Sequence, residues 1–137
     1  MKNNDCIFCK IANGEIPSTT LYEDDAFRVI LDMGPATRGH ALLLPKEHYA
    51  DLFELDDETA SKVLIRAKRI ALRMKNALGA DGFNLVQNNG EAAGQTVFHF
   101  HMHLIPRYKD DHAGILWKPG TVTPEEMEQI KELVDGQ

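Results

Sequence analysis

The sequence predicts an α+β fold with a mainly antiparallel sheet. Short β-like runs gather on either side of a single long helical stretch. That stretch repeats its apolar residues with a 3.6-residue period, and turn residues separate the successive runs. Residues 1–137 read as a single domain, since a chain of this size buries roughly two thirds of its unfolded surface, enough for one core.

The elements follow in order. Asp5 is placed to cap a short helix over 6–13, closed by Gly14 and Pro17. Runs 19–22, 27–31 and 40–44 are β-like, divided by Glu23-Asp24-Asp25 and Met33-Gly34-Pro35. An apolar patch over 49–55 leads to Asp56, the cap of the long helix. Its inward stripe is Ala60, Val63, Leu64, Ala67, Ile70, Ala71, Met74, Ala77 and Leu78, with Gly79 as the C-terminal stop. A strand over 82–87 and a small-residue loop over 88–95 precede the strongest strand, 96–105, which Pro106 should halt. Thr123-Pro124-Glu125-Glu126 opens a last amphipathic helix with a capping box and proline at its first turn.

Composition narrows the function. Fifteen basic against 21 acidic residues give a net charge of −6, which argues against a general binder of phosphate backbones. No run reaches the ~18 to 20 apolar residues of a membrane span, and residues 1–5 have no apolar secretory core. A cytoplasmic protein with no nucleic-acid or membrane partner is therefore expected. The basic stripe Lys62, Arg66, Arg69, Arg73 on the long helix reads as a solvated face, while Ile65 and Leu72, seven apart and off the main stripe, could form a partner seam.

Two scarce residue types are crowded together. Both cysteines, Cys6 and Cys9, lie within four positions, and three of the six histidines fall in the window 99–103. Without an export signal the cysteine pair suits a metal or redox role better than a disulfide framework. Along 96–104 apolar and polar residues alternate, so His99, His101 and His103 share one face and Phe98, Phe100, Met102 and Leu104 the other. Two histidines at i and i+2 can share an ion, but geometry counts against one ion held by all three on a regular strand. His99 to His103 spans about 13 Å at ~3.3 Å per residue, against a metal–nitrogen bond of ~2 Å. The three imidazoles must have different tasks.

The string His99-Phe100-His101-Met102-His103-Leu104-Ile105 resembles the His-φ-His-φ-His-φ-φ signature of the histidine triad (HIT) superfamily, where φ is apolar. Gly94-Gln95-Thr96-Val97 is similar to the family's Gly-Gln-Ser/Thr-Val segment. Gly39-His40 with Pro45-Lys46-Glu47-His48 is similar to its Gly-His and Pro-Lys-x-His segments. Cys6-Ile7-Phe8-Cys9-Lys10-Ile11 with Glu15-Ile16-Pro17 resembles the opening of the Hint-like branch.

The resemblance implies a HIT-like fold, with a five-stranded sheet, one long helix and short terminal helices, forming a two-fold homodimer through the long helix and the strand after it. It implies a hydrolase or transferase acting on a purine nucleoside monophosphate, AMP or GMP in type, that carries a labile substituent on its α-phosphate. His101 would be the nucleophile and carry the nucleotidyl group. His103 and Thr96 would assist at phosphate or leaving group, and His40 would complete the cluster. Backbone N–H groups of Gly94, Gln95 and Thr96 would face the phosphate, with Val97 beside them. Asp32, with Met33, would hold the ribose, and Asn88 sugar or phosphate. Ile7, Phe8, Phe27 and Leu31 would wall the base. Read alone, Asp32 and Asn88 are turn residues and the four apolar side chains are core. No metal is needed for the chemistry, but the resemblance implies a structural Zn2+ on Cys6, Cys9, His48 and His99. The alternatives are reduced cysteines packed as small apolar groups, or a redox pair. For the activity, they are a dinucleoside polyphosphate hydrolase and a non-catalytic AMP-binding scaffold dimer. Trp117 is expected in a C-terminal segment near the site or the dimer interface.

Overall fold

Along the run 41–45 successive side chains point to opposite sides of a sheet, and both sides are covered. The computed structural model describes residues 3–137. Its strands are β1 (Thr20–Glu23), β2 (Phe27–Leu31), β3 (Ala41–Pro45), β4 (Gly82–Val86) and β5 (Met102–Arg107). They form one antiparallel sheet in the order β1-β2-β3-β5-β4, which leaves β1 and β4 as edges. Ala41 and Leu43 of β3 face helix α2 (Asp57–Leu78), in a core with Phe27, Val29, Val63, Ala67, Ile70, Met74, Phe100 and Leu104. Leu42 and Leu44 face helix α1 (Ile7–Ala12), in a smaller cluster with Ala12, Ile30, Phe8 and Ile11.

The long helix begins and ends where expected. Asp56 accepts the Thr59 N–H, and Gly79 takes the left-handed conformation at φ 66°. Its buried stripe is narrower than predicted: Val63, Ala67, Ile70 and Met74 are inside, but Leu64 is 61% exposed. Leu64, Ile65 and Leu72 instead form an outward apolar line. The basic stripe is partly tied down, Arg66 by Asp24 at 2.7 Å and Lys62 by Glu58 at 3.2 Å.

Three boundaries differ from expectation. The cap of α1 is Cys6, whose Sγ accepts the Cys9 N–H at 3.2 Å, and not Asp5. Pro106 does not halt β5. It lies buried inside the strand, paired with Phe83, because β3 ends its pairing at Ala41↔Leu104 and asks no N–H of residue 106. The carbonyl of Pro106 on that side accepts the Thr37 hydroxyl at 2.6 Å. Third, residues 96–101 are bent rather than extended, with consequences for the histidines. The last helix, α3 (Pro124–Asp135), has the predicted capping box, and all its residues are exposed. Trp117 is 85% exposed on the irregular segment before it.

Candidate active site and metal centre

The bend at 97–99 replaces the single imidazole face with two clusters. Phe98, expected in the core, is 51% exposed, while Phe100 and Leu104 are buried as predicted. One backbone bond, Phe100 N–H to Tyr49 C=O at 2.6 Å, holds the segment where a ladder was expected.

His99 turns towards α1. Its Nε2–H donates to the Pro45 carbonyl at 2.9 Å, so the neutral ring offers the Nδ1 lone pair. That Nδ1 lies 3.3 Å from both Cys6 Sγ and Cys9 Sγ, and His48 Nδ1 lies 3.2 Å from Cys9 Sγ. The four donor atoms all lie within 4.8 Å of one another. Tetrahedral zinc, with Zn–S ~2.3 Å and Zn–N ~2.0 Å, spaces its ligands about 3.3 to 3.8 Å apart. The set therefore fits such an ion. Two N–H···S contacts, Asn3 to Cys9 at 3.4 Å and Cys9 to Cys6, would support thiolates there. Burial pushes the Cys9 thiol up and drives His99 down to about 4. Near neutral pH His99 is thus unprotonated and ready to ligate.

His101 turns the other way. Its Nδ1 can only donate to the His99 carbonyl, 2.7 Å away, and burial holds its pKa below the usual value. A neutral ring with its proton fixed on Nδ1 leaves an Nε2 lone pair. The Phe8 ring packs edge-on against it, centroids 5.0 Å apart.

His40 and His103 form a proton chain. The Ala36 N–H donates to His40 Nδ1 at 2.9 Å, so the His40 proton sits on Nε2, 2.9 Å from His103 Nδ1. His103 must then carry its own proton on Nε2. Burial lowers both rings, His103 to about 4, which keeps them neutral. Asp32 Oδ2 stands 3.5 Å from His40 Nε2, and its Oδ1 accepts the Gly34 N–H at 2.8 Å. Asp32, His40 and His103 also bring their donor atoms within 4.8 Å of one another. This group is a poor cation site, because the bond from Ala36 forces a proton onto the nitrogen that would ligate.

His101 and His103 line a cavity of about 850 Å³ on the α1 side of the sheet. Of the residues expected around a nucleotide, Ile7, Phe8, Leu31, Asp32, Met33, Thr96 and Val97 line it too. Phe27 does not: it points through the sheet into the core under α2. Asn88, Gly94 and Gln95 are also outside the lining. The Gln95 carboxamide is occupied by Gly90 N–H, Ala50 C=O and Val97 C=O. The Gly94 and Gln95 N–H groups bond to Glu91 and Gly90 carbonyls, so the expected N–H cradle is reduced to the end of that loop. Ile11, Ile16, Pro17, Ser18, Thr19, Ile30 and Leu42 line the cavity without having been anticipated. A second cavity of about 430 Å³, between β1, β2 and α2, has Arg38 and Arg73 among apolar residues and no nucleophile.

The arrangement matches known proteins. The HIT domain profile fits residues 13–110. The chain is 39% identical over 128 residues to adenosine 5'-monophosphoramidase hnt1 of Schizosaccharomyces pombe, covering 93% of each. It is 42% identical over 129 residues to adenylylsulfatase HINT3 of Arabidopsis thaliana, where 94% of this chain spans 64% of the relative. A zinc-bound histidine triad family protein from Mycobacterium smegmatis superposes with a TM-score of 0.76 at 38% identity, over 96% of this chain and 97% of that one. With the HIT domain matched over residues 13–110 and relatives about 40% identical along most of the chain, the chain belongs to the HIT domain family, with Hint-like homologues.

Proposed function

We propose that the chain hydrolyses purine nucleoside 5′-monophosphates bearing a labile group on the α-phosphate, phosphoramidates in the first place, through a nucleotidyl-His101 intermediate. The observation that carries this reading is the Nδ1–H of His101 bonded to the His99 carbonyl, which aims an unprotonated Nε2 at the cavity. The names of the two relatives point the same way, since phosphoramidate and adenylyl sulfate share one reacting centre, an α-phosphorus with a leaving group.

Nε2 attacks phosphorus as the bond to the leaving group breaks, and the proton stays on Nδ1, donated in a hydrogen bond to the His99 carbonyl throughout. The ring becomes a phosphorylated imidazolium whose charge that carbonyl stabilises. His103 Nε2–H, held in its tautomer by His40, donates to a phosphate oxygen or to the departing nitrogen. Thr96 stands beside the same phosphate. Water then attacks phosphorus and gives up a proton to His103 Nε2, replacing the one passed to the departing nitrogen, while the P–Nε2 bond breaks and His101 returns as a neutral imidazole. Asp32 takes the ribose hydroxyls, and Ile7, Phe8 and Leu31 wall the base.

Cys6, Cys9, His48 and His99 would hold a zinc ion as a closed structural site, which fixes α1 to the sheet and performs no step. The protein acts as a homodimer. Edge strand β4 and the outward line of α2 leave Leu64, Leu72, Phe83 and Leu85 around one apolar groove, suited to a second copy of the same face. Free thiols in that centre suit the reducing cytoplasm.

The test is rapid-quench mass spectrometry with an adenosine phosphoramidate. An AMP adduct on His101 that forms and decays at the turnover rate is expected. Turnover without any adduct would remove the covalent step. Faster cleavage of a diadenosine polyphosphate than of the phosphoramidate would reassign the substrate.

A further inference from the structure

The HIT domain match begins at residue 13, so α1 lies outside it, yet α1 supplies half of the metal centre and part of the nucleotide wall. Phe8 sits between Cys6 and Cys9 on this six-residue helix, which is too short to hold itself in water. Its ring meets His101 edge-on at 5.0 Å and His99 at 6.2 Å, and it lines the cavity with Ile7 and Ile11. His99 is shared as well. Its Nδ1 faces the two thiols, while its carbonyl fixes the proton of His101.

The geometry points to a linkage between the two clusters: a metal ion on Cys6, Cys9, His48 and His99 sets nucleotide affinity, with Phe8 as the positioning residue that transmits it. This rests on the zinc reading given above.

The physical route is short. The ion ties two sulfurs of α1 to His48 and His99 of the HIT core, and in doing so fixes the helical turn that carries Phe8. Without it, α1 keeps the contacts of Ala12 and Ile11 with Ile30, Leu42 and Leu44, and the bond from Asn13 Nδ2 to the Lys46 carbonyl at 3.0 Å. Those contacts hold the end of α1 beyond Cys9. The end with Cys6, Ile7 and Phe8 is left with only the packing of the Phe8 ring on that cluster, so the wall against His101 is no longer fixed in one position. A nucleotide that needs the wall must then order it on binding, and affinity drops by that cost. Linkage is reciprocal: whatever factor the ion gives the nucleotide, the nucleotide gives the ion.

The experiment uses the full chain loaded with zinc and the same chain stripped by a chelator, with AMP as the probe. Calorimetry should show AMP binding at least about tenfold weaker to the stripped protein, equal to about 1.4 kcal/mol. Saturating AMP should raise zinc affinity by the same factor in chelator competition at equilibrium, and should slow zinc extraction by the chelator. Phe8→Ala should keep one zinc per chain but abolish the effect of AMP on extraction, and Phe8→Tyr should restore it. Equal AMP affinity in loaded and stripped protein of unchanged circular dichroism overturns the linkage while leaving the zinc site intact. If stripping unfolds the chain, the extraction rates of loaded wild type and Phe8→Ala decide alone, and identical AMP protection in both overturns the role of Phe8. A purified chain that neither contains nor takes up zinc overturns the metal reading, and the linkage falls with it.

Discussion

Two groups of donors lie on the same side of the sheet, and within each the atoms are close enough to share an ion. Cys6, Cys9, His48 and His99 converge within 4.8 Å, and so do Asp32, His40 and His103. What separates them is the far nitrogen of each ring. His99 gives its proton away from the cluster, to the Pro45 carbonyl, and so turns a lone pair inward. His40 accepts a hydrogen bond from the Ala36 N–H on its far nitrogen, and so turns its own proton inward. One backbone carbonyl and one backbone N–H thus divide an ion-shaped group from a proton chain. His101 lies between them, its tautomer set by the carbonyl of a residue of the first group.

The largest effect should come from the residue between the clusters. His101→Asn removes the nucleophile and should lower turnover of an adenosine phosphoramidate roughly a thousandfold or more, with AMP still bound and zinc still present. Steady-state kinetics, AMP calorimetry and metal analysis check the three parts. Turnover within tenfold of wild type would move the chemistry away from this ring.

Next comes the asymmetry itself. Metal analysis should find one zinc per chain, and His48→Asn should lose it while His40→Asn keeps it. Where free zinc stands a thousandfold above its dissociation constant, the lost stabilisation is roughly 4 kcal/mol, read as a fall in Tm for His48→Asn alone. Two ions per chain, or loss of the ion in His40→Asn, would erase the distinction drawn from the far nitrogens.

The proton chain should show itself in pH. His103 titrates at about 4 in the folded protein because burial disfavours its cation, and His40 is lowered for the same reason. The unfolded chain takes up those protons near 6.5. Between the two values the unfolded state binds more protons, so stability is full above about pH 6.5 and is lost as pH falls towards about 4. His103→Asn should flatten this acid slope in chemical denaturation and cost about a hundredfold in turnover, while leaving zinc bound. An unchanged slope would mean that His103 is not held neutral by the fold.

How much of this was legible in the sequence depended on whether a residue's task showed in its spacing. The long helix, its caps and strand β2 follow from periodicity and from Asp56 and Gly79, which local chemistry fixes. The division of labour among the histidines follows from distance alone, but the strand reading of 96–101 does not survive. A His99 carbonyl that accepts from the His101 side chain needs a bent backbone, and period-2 alternation carries no sign of it. The apolar floor of the cavity was invisible for another reason. In Ala41-Leu42-Leu43-Leu44 every residue is apolar because both faces of β3 are covered, so nothing marks Leu42 as facing the cavity and Leu43 as core. Phe27 failed in the same way and in the opposite direction.

The smallest effect should tell the anchoring of the ion cluster from its chemistry. Asn13 joins the end of α1 to the strand region, its Nδ2 donating to Cys9 C=O at 2.9 Å and to Lys46 C=O at 3.0 Å. Asn13→Ala leaves every metal donor and every histidine proton in place, and removes only these two bonds. The loss should be about 1 kcal/mol per bond, seen as a lower denaturation midpoint and faster zinc release to a chelator. At saturating zinc the turnover should match wild type, because the proton chain does not pass through α1. A fall in turnover that zinc does not restore would mean that α1 acts on His101 directly, and the two clusters would have to be treated as one.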